Sequence, residues 1–129
     1  MNSPELDPED QKILTLAVAA RTRAYAPYTG TTQGAAVRDV DGRTYAAATV
    51  EHAEKPLTLS ALHAAVAAAV ASGAREFEAV AVVGERWTTA PTVDGAVLME
   101  FGPDTIVLLG ADDGTLVRRT TAAGLAGVT

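Results

Sequence analysis

Ser60 and His63 lie three residues apart in the Leu-, Ala- and Val-rich run from Thr58 to Ser72, so on a helix they share one face. A serine hydroxyl beside an imidazole is the pairing of nucleophilic catalysis. No acid stands out in the sequence as the orienting partner of that imidazole. The competing reading is a buried helix whose polar groups bond to backbone or to a neighbouring subunit. Glu51 and His52 offer a second carboxylate and imidazole. They are adjacent on an extended segment, where successive side chains point to opposite faces. That alternation disfavours a metal site built from Glu51, His52, His63 and Asp94. Glu51 alone suits a ligand hydroxyl, or is a solvated or paired carboxylate at a strand end. Trp87 reads as a packing anchor or as a cover over a pocket. Asp112-Asp113-Gly114 is a turn and not a full calcium loop.

The elements that must position these groups follow from local signals. Asp7-Pro8-Glu9-Asp10 opens a helix with a cap, a preset φ and acids at the positive dipole end. Ile13, Leu14, Leu16, Ala17, Ala20 and Ala24 form its apolar stripe, and Pro27 is expected to end it. Gln33–Val40 and Arg43–Val50 flank Asp41-Gly42, a hairpin turn. Thr58–Ser72 is a second helix closed by Gly73. It carries almost no charge, so it is expected to be buried on most faces, against the sheet and a neighbouring subunit. Phe77–Val83 is a central strand, Val93–Phe101 a short helix and Thr105–Leu109 another buried strand. Thr115–Arg119 is the last strand, and the tail from Thr120 to Thr129 is weakly specified. A hairpin followed by two helix-linked strands predicts a mixed sheet with helices packed on it.

Composition narrows the function classes. The chain has 129 residues, the size of a single domain spanning 1–129. Its formal net charge of −6 argues against nucleic acid as a partner and against an anionic membrane surface. No apolar run is long enough to cross a bilayer. Met1-Asn2-Ser3-Pro4-Glu5 is acidic where a signal peptide is basic, so the expected location is cytoplasmic. The sequence contains no cysteine and two histidines. Disulfides, thiolate nucleophiles and cysteine-ligated zinc are therefore excluded.

Four stretches together resemble the small, homotetrameric cytidine deaminase family over nearly the whole length. They are Ala24-Tyr25-Ala26-Pro27-Tyr28-Thr29-Gly30 followed by Gly34-Ala35-Ala36, Val50-Glu51 with Leu57-Thr58, Arg75 to Val82, and Glu100-Phe101-Gly102-Pro103-Asp104-Thr105. The resemblance implies an α/β, cytidine-deaminase-like three-layer fold with a mixed five-stranded sheet flanked by helices. It also implies a homotetramer.

In that family a zinc-bound water attacks the base, and a glutamate moves the protons. The resemblance places the first ligand and that glutamate in a Cys-Ala-Glu opening the second helix, where this chain has Ser60, Ala61 and Leu62. The other two ligands belong to a Pro-Cys-x-x-Cys turn opening the third helix. Here that turn reads Pro91-Thr92-Val93-Asp94-Gly95 and is one residue short before Glu100-Phe101-Gly102. The ribose-holding Asn-x-Glu is represented by Thr49-Val50-Glu51, and the base-stacking aromatic by Thr31. Leu62 is expected to lay an apolar group on the pocket floor.

Three functions stay open at this level. The first is a protein inactive as a zinc-dependent deaminase, with no metal and no cofactor, that keeps the assembly and a pocket for a nucleoside-like small molecule contacted by Glu51, Thr49 and Thr31. The second is an enzyme with metal-free chemistry on a nucleoside-like or heterocyclic substrate, as in a biosynthetic pathway, using Glu51, His52, Ser60 and His63. The third is a structural partner subunit.

Overall fold

The computed structural model describes residues 6–84 and 91–127. Trp87 and the acidic start Met1–Glu5 lie outside the described residues, as do the final two positions of the tail. Helix α1 spans Pro8–Arg21, and Asp7 caps it by accepting from the Glu9 amide at 2.8 Å. The hairpin strands are β1 (Gln33–Asp39) and β2 (Thr44–Ala48). A single 3-10 turn, Lys55–Leu57, leads to α2 (Ala61–Ala71). Then follow β3 (Phe77–Gly84), α3 (Pro91–Met99), β4 (Ile106–Gly110), β5 (Leu116–Thr121) and α4 (Ala122–Ala126).

The strands form a mixed five-stranded sheet in the order β2-β1-β3-β4-β5. Within this sheet the β3–β4 pair is parallel, because α3 carries the chain across between them, and the β1–β2, β1–β3 and β4–β5 pairs are antiparallel. Strand alternation divides the core into two. Ala35, Val37, Val80, Val82, Val107 and Leu109 face Ala61, Leu62, Ala65 and Val66 of α2 and Leu98 of α3. Ala36, Ala79, Ala81, Val83 and Leu108 face Ile13, Leu14 and Ala17 of α1. Small side chains on this second face let α1 lie close to the sheet. At Gly34 a Cβ would sit 2.0 Å from the Ala17 carbonyl oxygen. This close approach gives part of the alanine excess a packing reason.

Three expectations are corrected. Helix α1 ends at Arg21, well before Pro27. The Thr22 hydroxyl donates to the Ala19 carbonyl at 2.7 Å. Tyr25 then bridges to Val50, its amide donating to the Thr49 carbonyl at 2.9 Å. Pairing with the β2 extension outcompetes another helical turn. Helix α2 starts at Ala61 and not at Thr58, because Leu59 pairs with Val50 instead. The weakly specified tail forms a short helix. Thr121 caps α4, Leu125 and Ala122 enter the core, and Gly127 (φ 80°) ends the helix. Gly95 of α3 meets the Ala126 backbone so closely that a Cβ there would fall 2.3 Å from the Ala126 amide nitrogen. In the single chain α2 buries one face; His63, Ala67, Ala68 and Ala71 are exposed on the other.

Candidate functional site

The starts of α2 and α3 meet at one end of the sheet. Ser60 is the N-cap of α2, and its Oγ accepts from the His63 backbone amide at 3.1 Å. This satisfies one of the amides left over at a helix start. The same hydroxyl donates to Asp94 Oδ1 at 2.6 Å. Asp94 lies in the first turn of α3 and is only 7% exposed. The two helix openings are therefore tied by one charge-assisted hydrogen bond.

A cleft of about 480 Å³ opens in front of this pair. The segment before β1 supplies Thr29, Thr31 and Gln33 to its wall, and the end of β2 supplies Thr49 and Glu51. Lys55, Thr58, His63 and Val93 complete it. Sequence reasoning named Glu51, Thr49, Thr31, Ser60 and His63, and the structure brings all five to this cleft. It did not name Thr29, Gln33, Lys55, Thr58 and Val93 as site residues; Thr29 and Thr58 lie in stretches that carry the resemblance, and the other three carry no motif of their own.

Each named group is already engaged in a particular way. Glu51 Oε1 accepts from the amides of Tyr28 and Thr29 at 2.7 and 3.0 Å. Its Oε2 accepts from the Thr29 hydroxyl at 2.7 Å. The Thr29 hydroxyl first, and the two amides with it, hold this carboxyl below its ordinary range against the opposing effect of burial. Glu51 thus clamps the loop that forms one wall. The Thr49 hydroxyl is paired with the Gln33 backbone, accepting from its amide at 3.0 Å. The Thr31 amide donates to the Thr29 hydroxyl at 3.1 Å.

His52 and Leu62 stand apart from the cleft. His52 is exposed, and its Nδ1 accepts from the Glu54 amide at 3.0 Å. Leu62 is fully buried in the core beneath α2, so it is not the pocket floor. A side chain without polar atoms turns into the sheet and leaves the floor to Ser60 and Asp94.

An acid does reach Ser60: Asp94 takes the serine hydroxyl, and among the described residues no hydrogen bond joins it to the His63 imidazole. Its signal was available in the resemblance, which already sends the openings of the second and third helices to one centre. What the sequence left open is which residue of the shortened turn arrives there. The Ser60 proton points to Asp94. Among the described residues, the one hydrogen bond between Ser60 and His63 runs from the His63 amide, not its imidazole. Burial pushes the Asp94 carboxyl above its ordinary range, and the hydrogen bond from Ser60 and the charge of His63 offset this only in part.

The residues present do not fit the zinc of the resembled family. A catalytic zinc takes three protein ligands from His, Cys, Asp or Glu. No group of three such side chains comes together among the described residues, and the sequence has no cysteine. At the converging turns there is one carboxylate and one hydroxyl that caps a helix.

The comparisons with known proteins agree with this architecture. A model of the family described as "Cytidine deaminase-like" matches residues 6–114. A cytidine deaminase of Halalkalibacterium halodurans is 33% identical over 120 residues, which is 91% of each chain. A cytidine deaminase structure from Burkholderia pseudomallei superposes with a TM-score of 0.81 at 35% identity, covering 88% of this chain and 93% of that one. One from Mycobacterium leprae gives a TM-score of 0.74 at 28% identity, covering 92% and 98%. The α/β fold with its mixed five-stranded sheet is the fold of those enzymes, and this chain belongs to the cytidine deaminase-like family.

Proposed function

We propose that this chain binds a small molecule in the cleft and does not carry out zinc-dependent deamination. One observation carries the reading. Where the family's ligand-bearing turns converge, the Ser60 hydroxyl is spent on Asp94 at 2.6 Å and on capping α2. The neighbouring place of the proton-moving glutamate is Leu62, 0% exposed in the core. Losing the ligands and the proton carrier together removes both the water activation and the proton transfer that the reaction needs. The cleft itself persists, at about 480 Å³, within the range of small-molecule sites.

A metal-free hydrolase built on Ser60 and His63 finds less support. The serine proton is directed to Asp94, Glu51 is held by the loop, and His52 is outside the cleft. A homotetramer is the assembly we propose, since the exposed face of α2 at Ala67, Ala68 and Ala71 is apolar and fits a covered surface. A cytoplasmic location belongs to the same reading.

The test is ammonia release from cytidine at high protein concentration, with elemental analysis of the same sample. The expected result is no release and no stoichiometric zinc. Either release at an enzymatic rate or zinc at one equivalent overturns the proposal. A thermal-shift screen with nucleosides and bases separates a binder from a structural subunit, because a ligand at a hundredfold its Kd adds about 2.7 kcal/mol.

A further inference from the structure

Asp94 is buried with no ion pair among the described residues. It is 7% exposed and lines the cleft. Oδ1 takes the Ser60 hydroxyl at 2.6 Å, while Oδ2 has no hydrogen-bond donor among the described residues. A carboxylate accepts at both oxygens, and Oδ2 is the one left to a donor in the cleft. Ser60 cannot serve both oxygens, because it has one proton and Oδ1 takes it.

Among the described residues, the charged groups around it leave Oδ2 open. His63 on α2 and Lys55 on the 3-10 turn face the same cleft, yet neither forms an ion pair with Asp94 within 4.0 Å. Glu51, across the cleft, adds a second negative charge. The chain as a whole carries a formal charge of −6, which draws cations toward it. Val93 and several threonines give the remainder of the wall an apolar character.

We propose that Asp94 and Ser60 form the head-group subsite of this cleft, and that the ligand is a small organic cation: an ammonium or amidinium on an apolar body. Its N–H groups donate to Asp94 Oδ2 and bring a positive charge into contact with it. Ser60 fixes the carboxylate so that Oδ2 faces the ligand. The body rests on Val93 and the threonine side. This inference rests on the binding reading above and deepens it by naming the ligand class.

The experiment is titration of the full chain by calorimetry and thermal shift at neutral pH with four probes of one size. They are benzylamine, benzamidine, neutral benzamide and anionic benzoate. Both cations are expected to bind and raise the melting temperature, with benzamide and benzoate at least tenfold weaker. Asp94→Asn is expected to abolish that preference, while Asp112→Asn, an exposed acid in a distant turn, leaves it intact. The comparison of benzamidine with benzamide is made in the unaltered chain, so it stands even if Asp94→Asn fails to fold. Equal binding of benzamide or benzoate, no binding of either cation, or cation binding undiminished in Asp94→Asn overturns the inference. Nucleoside binding that persists in Asp94→Asn would sink it while leaving the binding reading in place. Ammonia release from cytidine would remove the binding reading whatever the cations do.

Discussion

Asp10 and Asp94 are buried almost equally, at 6% and 7% exposed, on opposite faces of one sheet. Asp10 on α1 is met by two guanidiniums. Arg38 Nη2 donates to its Oδ1 at 3.1 Å, and Arg119 Nη1 to its Oδ2 at 3.4 Å. Arg38 also reaches Glu78 at 2.6 Å and the Glu9 carbonyl at 2.9 Å, so its donors are shared among three partners. Asp94 on α3 has one serine hydroxyl and an open cleft. The first arrangement is closed: charge, hydrogen bonds and shape are satisfied inside the chain. The second opens on a cavity, with no ion pair among the described residues. A fold tolerates such an open site when something outside the chain occupies it, and open sites are where function is sought.

The largest effect that can test this contrast is on the closed site. Arg38→Met strands the Asp10 charge beneath α1 and is expected to cost about 3–5 kcal/mol, read from urea denaturation midpoints. Adding Asp10→Leu to Arg38→Met should recover much of that loss, because no orphan charge remains. If the double variant is no better than Arg38→Met alone, the network is not closed in the sense argued here.

Next in size is Ser60→Ala. It removes the cap of α2 and the sole hydrogen bond to Asp94 among the described residues. A loss of about 1 kcal/mol is expected from the cap alone. A change within a few tenths would show that neither bond contributes.

Asp94→Asn is expected to act in the opposite direction, leaving neutral-pH stability unchanged or higher. The Asp94 carboxyl sits above its ordinary range because of burial. Between the ordinary and the raised values, the folded chain holds a proton that the unfolded chain has released. The stability tied to this group is therefore full below the ordinary value and falls as pH rises through the raised one. The advantage of Asp94→Asn over the parent should be greatest at neutral pH and vanish on acidification. Urea midpoints of both chains between pH 7 and pH 4 measure it, and a constant difference across that span would contradict the account.

Glu51 responds with the reverse sign. The Thr29 hydroxyl and the amides of Tyr28 and Thr29 lower its carboxyl, so its contribution is present above the ordinary range and fades as pH falls through the lowered value. Glu51→Gln should have the smallest and most local effect, a faster amide hydrogen exchange at Tyr28 and Thr29 with little change elsewhere. Unchanged protection at those two amides would mean the loop does not depend on the clamp.

Most of the fold was legible because its signals are local. Asp7-Pro8, Asp41-Gly42, Gly73 and Asp112-Asp113-Gly114 punctuate the chain at positions where backbone geometry admits few alternatives. Elements failed to follow the sequence where partners distant along the chain decided. Tyr25 and Leu59 were drawn into pairing with Val50, which shortened α1 and delayed α2. Helix α4 was invisible because a five-residue Ala- and Gly-containing segment owes its helicity to Thr121 and to packing of Leu125.

The site divides in the same way. The absence of cysteine and the presence of Ser60 and Leu62 at the opening of the second helix are facts of the sequence alone, since no folding can supply a missing atom. That Leu62 turns into the core, that Glu51 is committed to a loop, and that Ser60 meets Asp94 at 2.6 Å were decided by tertiary structure. Residue types set which interactions are available to the chain. Which of them form depends on the approach of segments more than 20 residues apart, and only the packed sheet and helices fix that approach.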